Sequence, residues 1–156
     1  RVEIFAESNL MKHIKTRVKK NTLYLSSRKN LRPTEDLMVL ISVPELLAID
    51  CSGVNDIVAE NINSENFDID LSGAGSINIS GMTGLLKIDV SGAADLMAKE
   101  LITEDIRIDV SGAANAEVFA SNSCKAHVSG AGFIELYGDA TDVNMDISGA
   151  GSLERR

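Results

Sequence analysis

The stretch Phe67-Asp68-Ile69-Asp70-Leu71-Ser72-Gly73-Ala74-Gly75-Ser76-Ile77-Asn78-Ile79 decides the fold. Apolar and polar residues alternate on both sides of a Ser-Gly-Ala-Gly centre, and a period of two is that of a strand with one buried face. Small residues between two such strands read as a corner. Glycine there supplies positive φ at no steric cost and adds no bulk where backbones approach.

The corner recurs down the chain. Ser-Gly tetrapeptides begin at Ser52, Ser72, Ser91, Ser111, Ser129 and Ser148, with spacings of 20, 19, 20, 18 and 19 residues. Aligned on the serine, position minus five holds Leu47, Phe67, Leu86, Ile106, Cys124 and Val143, and position minus three holds Ile49, Ile69, Ile88, Ile108, Ala126 and Met145. Position minus one is apolar in every copy, and apolar residues return at plus five and plus seven, for example Ile77 and Ile79 or Ile134 and Leu136. A unit of this size cannot bury its apolar face alone, but stacked on its neighbours it closes a continuous interior. The expected fold is all-β, a right-handed parallel β-helix of about six rungs, the hand following from that of parallel crossovers. At ~4.8 Å per rung the column is ~29 Å long.

Residues 1–45 lack the tetrapeptide and are expected to form a small mixed N-terminal cap on repeats at 46–156, within one domain spanning 1–156. Ser8 opens one helical turn as its N-cap. Thr16–Val18 and Thr22–Leu25 read as a hairpin around Lys19-Lys20-Asn21, and Leu37–Val43 as a strand entering the first rung before Pro44. Arg1–Phe5 reads as strand.

Charge divides the chain in the same place. Overall it carries a net charge of −8. Residues 1–32 hold nine Lys and Arg against Glu3 and Glu7, a net +7, whereas 33–156 hold six basic and 21 acidic residues, a net −15. Nucleic acid is excluded as the main partner, because a phosphate-binding surface is net basic. No apolar run approaches the length of a transmembrane helix. The sequence starts at Arg1 without a basic n-region or apolar h-region, so no targeting segment can be read from it.

The basic hairpin, the Val43-Pro44-Glu45-Leu46 strand end and the run of Ile-Asp-x-Ser-Gly-Ala units resemble the head GIN domain family of autotransporter-adhesin type, abundant in Bacteroides-type bacteria and of uncharacterised function. Gly75-Ser76-Ile77-Asn78 comes close to the motif behind that name. The resemblance covers nearly the whole chain and implies a β-helical fold, an extracytoplasmic place in the cell envelope, and adhesion or surface recognition. It carries no catalytic residues to this sequence.

Three sets of residues are candidates for function. Stacking places Asp50, Asp70, Asp89, Asp109, His127 and Asp146 in one outward column. Such a column is solvated and hydrogen-bonded, holds divalent cations weakly, or supplies a catalytic carboxylate pair as in polysaccharide-active enzymes. Repetition gives each Asp the same surroundings, which argues for architecture over catalysis, since acid and base must differ in environment. An imidazolium at His127 would relieve repulsion within the column. Phe119, Phe133 and Tyr137 fall at outward positions of neighbouring rungs and would form an apolar patch suited to polysaccharide, another surface ligand or self-association. Lys12, Lys15, Arg17, Lys19 and Lys20, with Arg28, Lys29 and Arg32, make the cap basic, fit for anionic lipid, polysaccharide or the acidic body of another copy.

His13 has no partner at zinc spacing, and no cofactor is expected. Cys51 and Cys124 fall inward about four rungs apart, too far to bridge, and are expected to be free and buried. The leading expectation is a non-catalytic binding module; a polysaccharide-active enzyme or a purely structural scaffold are the alternatives.

Overall fold

The structure is a computed structural model describing residues 1–31, 33–34 and 36–156. Arg32, counted above in the basic cap, lies outside the described residues. The chain divides into two compact units, Arg1–Pro44 and Glu45–Arg156.

In the first unit, β1 (Val2–Phe5) precedes a single helical turn, α1 (Ser8–Met11), then β2 (Ile14–Lys19), β3 (Thr22–Ser27) and β4 (Met38–Ile41). The N-cap is Glu7 rather than Ser8, and no side chain caps the turn. β2 and β3 pair antiparallel, with Val18 opposite Leu23 and Arg17 opposite Tyr24. Lys20 and Asn21 join them at φ +48° and +61°, the left-handed pair that matches strand twist in a two-residue hairpin. β4 pairs antiparallel with β1, Ile4 opposite Val39, instead of entering the first rung.

The second unit is the expected parallel β-solenoid. Its strands are β5 (Ala48–Val90), β6 (Ala93–Val110), β7 (Ala113–Phe119), β8 (Ser123–Val128), β9 (Ala131–Tyr137), β10 (Asp142–Ile147) and β11 (Ser152–Arg155). Every recorded pairing among them is parallel, and equivalent positions of successive copies lie side by side: Ile88 against Ile108, Ile108 against Ala126, Ala126 against Met145. Ladders between separate strands cover about four turns, fewer than the six rungs counted from the motif, because the first two copies run within one strand, β5.

The core follows the alternation. Phe67, Leu86, Ile106 and Cys124 stack fully buried, as do Ile79, Ala98, Val118 and Leu136 on the other half of the coil. Burial weakens in the first and last copies, where Leu47 and Ile147 are exposed and Cys51 is only half-buried. Both cysteines are free.

The corner glycines serve close approach more than positive φ. A Cβ on Gly112 would lie 2.0 Å from the carbonyl oxygen of Gly92, and one on Gly130 1.9 Å from that of Gly112. Among the tetrapeptide glycines, φ between +20° and +160° occurs only at Gly53 and Gly75. The opposite corner is closed by hydroxyls invisible to the tetrapeptide reading. Thr83 and Thr103 are buried there, Thr103 Oγ1 donating to Leu101 O at 3.1 Å and Ser121 Oγ to Thr103 O at 3.3 Å.

Candidate binding surface

Since side chains alternate across a strand, the residues between the buried files of β5, β6, β8 and β10 must stand on the outer face of the sheet. The Asp column does so: Asp89, Asp109, His127 and Asp146 are register neighbours, all exposed. They are not alone on that face. Two residues upstream on each strand, Lys87, Arg107, Lys125 and Asn144 form a second file in the same register. Rungs lie ~4.8 Å apart and the two files ~6.6 Å apart, so the face carries a cationic and an acidic stripe in parallel.

These stripes line a shallow open trough of about 610 Å³ bounded by Asp68, Asp70, Lys87, Asp89, Arg107, Asp109, Lys125, His127, Asn144 and Asp146. Asp50 does not line it. Lys87 pairs with Asp68 at 3.6 Å, and His127 Nδ1 approaches Asp146 Oδ2 at 3.4 Å. Among the described residues, Arg107, Lys125, Asp70, Asp89 and Asp109 have no ion-pair partner. At the trough edge Asp105 accepts hydrogen bonds from Ser123 Oγ at 2.5 Å and Asn122 Nδ2 at 2.8 Å. Those bonds, helped by Arg107 and Lys125, hold its carboxyl below the ordinary value.

The column is flanked by Lys87, Arg107 and Lys125, which offset part of its negative charge. Among the described residues no three His, Cys, Asp or Glu converge as metal ligands.

The aromatic residues separate into two places. Phe119 and Tyr137 are register neighbours, both half-buried. Phe133 is 37% exposed and four residues from Tyr137 on β9, ~13 Å along the strand, with Glu135 between them on the same face. Tyr137 is held by charge: its hydroxyl donates to Glu135 Oε2 at 2.9 Å, and Lys99 Nζ stands 6.0 Å from its ring centre. Lys99 in turn pairs with Glu117 at 2.7 Å, and Arg156 bridges Glu135 and Glu154 at 3.2 and 3.0 Å. The Tyr137 and Arg156 hydrogen bonds lower the Glu135 carboxyl, while the bond to Glu135 raises the Tyr137 phenol. Tyr137 is thus braced by charged groups, with Phe119 beside it in register and Phe133 exposed farther along the strand.

In the first unit, Lys15, Arg17 and Lys19 lie on one face of the hairpin, Lys20 in its turn, and Lys12 at the end of α1. The cationic file beside the Asp column and the Lys99–Glu117–Glu135–Arg156 network escape a reading made one file at a time. The signal of the first is charge alternating between positions minus four and minus two of the repeat, and that of the second is Glu117 and Glu135 at plus six beside Lys99 and Arg156 at plus eight.

Comparison with known proteins matches residues 1–140 to a family model described as "Putative auto-transporter adhesin, head GIN domain". Among solved structures, the crystal structure of a "putative adhesin" from Bacteroides fragilis superposes with a TM-score of 0.78 at 22% identity, covering 99% of this chain and 82% of that one. At that identity the likeness shows the fold. No curated protein matches the sequence.

Proposed function

This chain belongs to the auto-transporter adhesin head GIN domain family, and from that premise we propose that it is a non-catalytic binding module of the cell surface whose recognition face is the outer trough of the solenoid. The family description points to an extracytoplasmic setting. The ligand class we infer is a carboxylate-bearing polysaccharide lying along the coil axis with its carboxylates on the cationic file alone, since the trough as a whole carries five aspartates against three Lys and Arg.

One observation carries this reading: Arg107 and Lys125, without ion-pair partners among the described residues, run in file beside Asp70, Asp89 and Asp109, equally without them, along an open trough. A polymer bearing carboxylates at sugar-scale intervals meets the cations rung by rung, while its hydroxyls donate to the aspartates. An enzyme is the weaker reading, because the repeated aspartates share similar exposure and none of Asp70, Asp89 and Asp109 is set apart as acid against base.

The test is calorimetric binding of polygalacturonate and of neutral dextran, with product release followed in parallel. Polygalacturonate should bind without being cleaved, and Arg107→Ala with Lys125→Ala should weaken it about tenfold or more. Unchanged affinity in that double variant would remove the trough from the reading. Cleavage abolished by Asp109→Asn would replace the binding module with an enzyme.

A further inference from the structure

The β2–β3 hairpin is two-faced. Register and alternation place Ile14, Thr16, Val18, Leu23 and Leu25 on one side, and Lys15, Arg17, Lys19 and Tyr24 on the other. At its tip, Val18 is 71% exposed immediately beside Lys19 and Lys20. Tyr24 and Leu25 are exposed as well. None of Lys12, Lys15, Arg17, Lys19 and Lys20 forms an ion pair among the described residues.

Free cations next to a bare β-branched side chain suit a partner that takes both. A second copy's acidic solenoid satisfies the charge and offers Val18 the exposed Val54, Val58 and Met82, so the experiment below separates it from a lipid surface. Several of its outward carboxylates, Glu117, Glu135 and Glu154, also hold Lys99 and Arg156 already. An anionic lipid surface offers phosphates to Lys and Arg and an apolar boundary to Val18 just beneath them. Tyr24 suits the same interface, its ring apolar and its hydroxyl wet. No helix among the described residues is long and apolar enough to cross a membrane.

We propose that the hairpin docks tip-first on anionic bilayers, with Lys15, Arg17, Lys19 and Lys20 on the lipid phosphates and Val18 in the headgroup–acyl boundary. This is independent of the trough, so Arg107→Ala with Lys125→Ala leaves it intact.

The experiment is cosedimentation of the whole chain with vesicles of phosphatidylglycerol and phosphatidylcholine in equal parts, against phosphatidylcholine alone. Binding should need the anionic lipid and fall as salt rises. Lys15→Glu with Lys19→Glu should weaken it about 30-fold, and Val18→Asp about tenfold. Val18→Trp should strengthen it severalfold, a gain that misfolding cannot mimic. Equal binding to both vesicles, or parent-like binding by the Lys variant, would overturn the proposal. So would a vesicle-free dimer, seen by light scattering, that the same Lys variant dissociates, since the surface would then serve a second copy.

Discussion

Replacing Gly112 by alanine adds one carbon at the most crowded point of the coil. The new Cβ would sit 2.0 Å from Gly92 O and 2.9 Å from Gly92 C and N. An ordinary carbon–oxygen contact is about 3.3 Å, so the two rungs must part by about an ångström. That oxygen accepts the Ala113 N–H at 2.8 Å, and Val90 O accepts the Ser111 N–H at 2.8 Å just upstream. Both bonds would stretch to about 3.8 Å, past the range in which an N–H···O bond holds. Two backbone bonds at about 1 kcal/mol each, with overpacking of about 1–3 kcal/mol, give about 3–5 kcal/mol. For a chain of this size that lowers the melting temperature by about 6–20 °C. Gly53→Ala is the control, because its Cβ meets nothing within 4 Å and suffers only from φ +93°. Its cost is about 1–2 kcal/mol, or about 2–8 °C. Thermal unfolding followed by far-ultraviolet circular dichroism separates the two. A Gly112→Ala protein melting with the parent, or Gly53→Ala as the more damaging change, would refute close approach as the reason for the glycine file.

Leu86→Ala removes a fully buried side chain stacked on Ile106 and should cost about 2–5 kcal/mol in urea unfolding. Burial pushes the Cys124 thiol up to about 11 and also raises Cys51, which is half-buried. At neutral pH iodoacetamide should therefore modify Cys51 first and Cys124 only on unfolding, as peptide mass mapping would reveal. Asp105 and Glu135 have folded-state carboxyls below their ordinary values. Their stabilisation is complete above the ordinary carboxylate range and lost as pH falls through it and below. Melting temperature should drop over that acid window, and less in Asp105→Asn than in the parent.

The solenoid was legible because burial and backbone geometry impose one rule on every rung. Inward files at minus five and minus three come out buried from Phe67 to Ala126, and the Asp column lies in register where alternation puts it. The first unit was legible only where a local signal exists. Lys20-Asn21 fixes the hairpin because two left-handed residues suit that turn. Nothing local tells β4 to choose β1 over the first rung, since Met38–Ile41 is apolar throughout and its pairing is set by tertiary contact. Ser8 is not the cap because the turn begins one residue earlier, at Glu7, whose carbonyl takes the Leu10 and Met11 N–H groups. The aromatic positions mark the limit of the rule, because alternation gives the direction of a side chain, not what stands beside it. Tyr137 points outward as expected and meets Glu135 of its own strand and Lys99 from another rung.

That limit bears on where recognition is encoded. In a solenoid the inward files must repeat, because each rung's side chain packs on its equivalent above and below. The outward files are free of that demand, so a repeating outward pattern carries information that packing does not explain. Lys87, Arg107 and Lys125 are such a pattern: no buried contact requires a cation on three successive rungs, and placing like charges ~4.8 Å apart costs stability unless the neighbouring aspartates offset it. The stripe of Asp89 and Asp109 does so without pairing closely with it, which leaves Arg107 and Lys125 available to an outside group. If the stripe were only a solubility device, exchanging the signs at Arg107 and Asp109 together would leave polygalacturonate binding unchanged. If it is a recognition surface, the exchanged protein should melt with the parent and lose the polymer, and a calorimetric titration of that one variant decides between them.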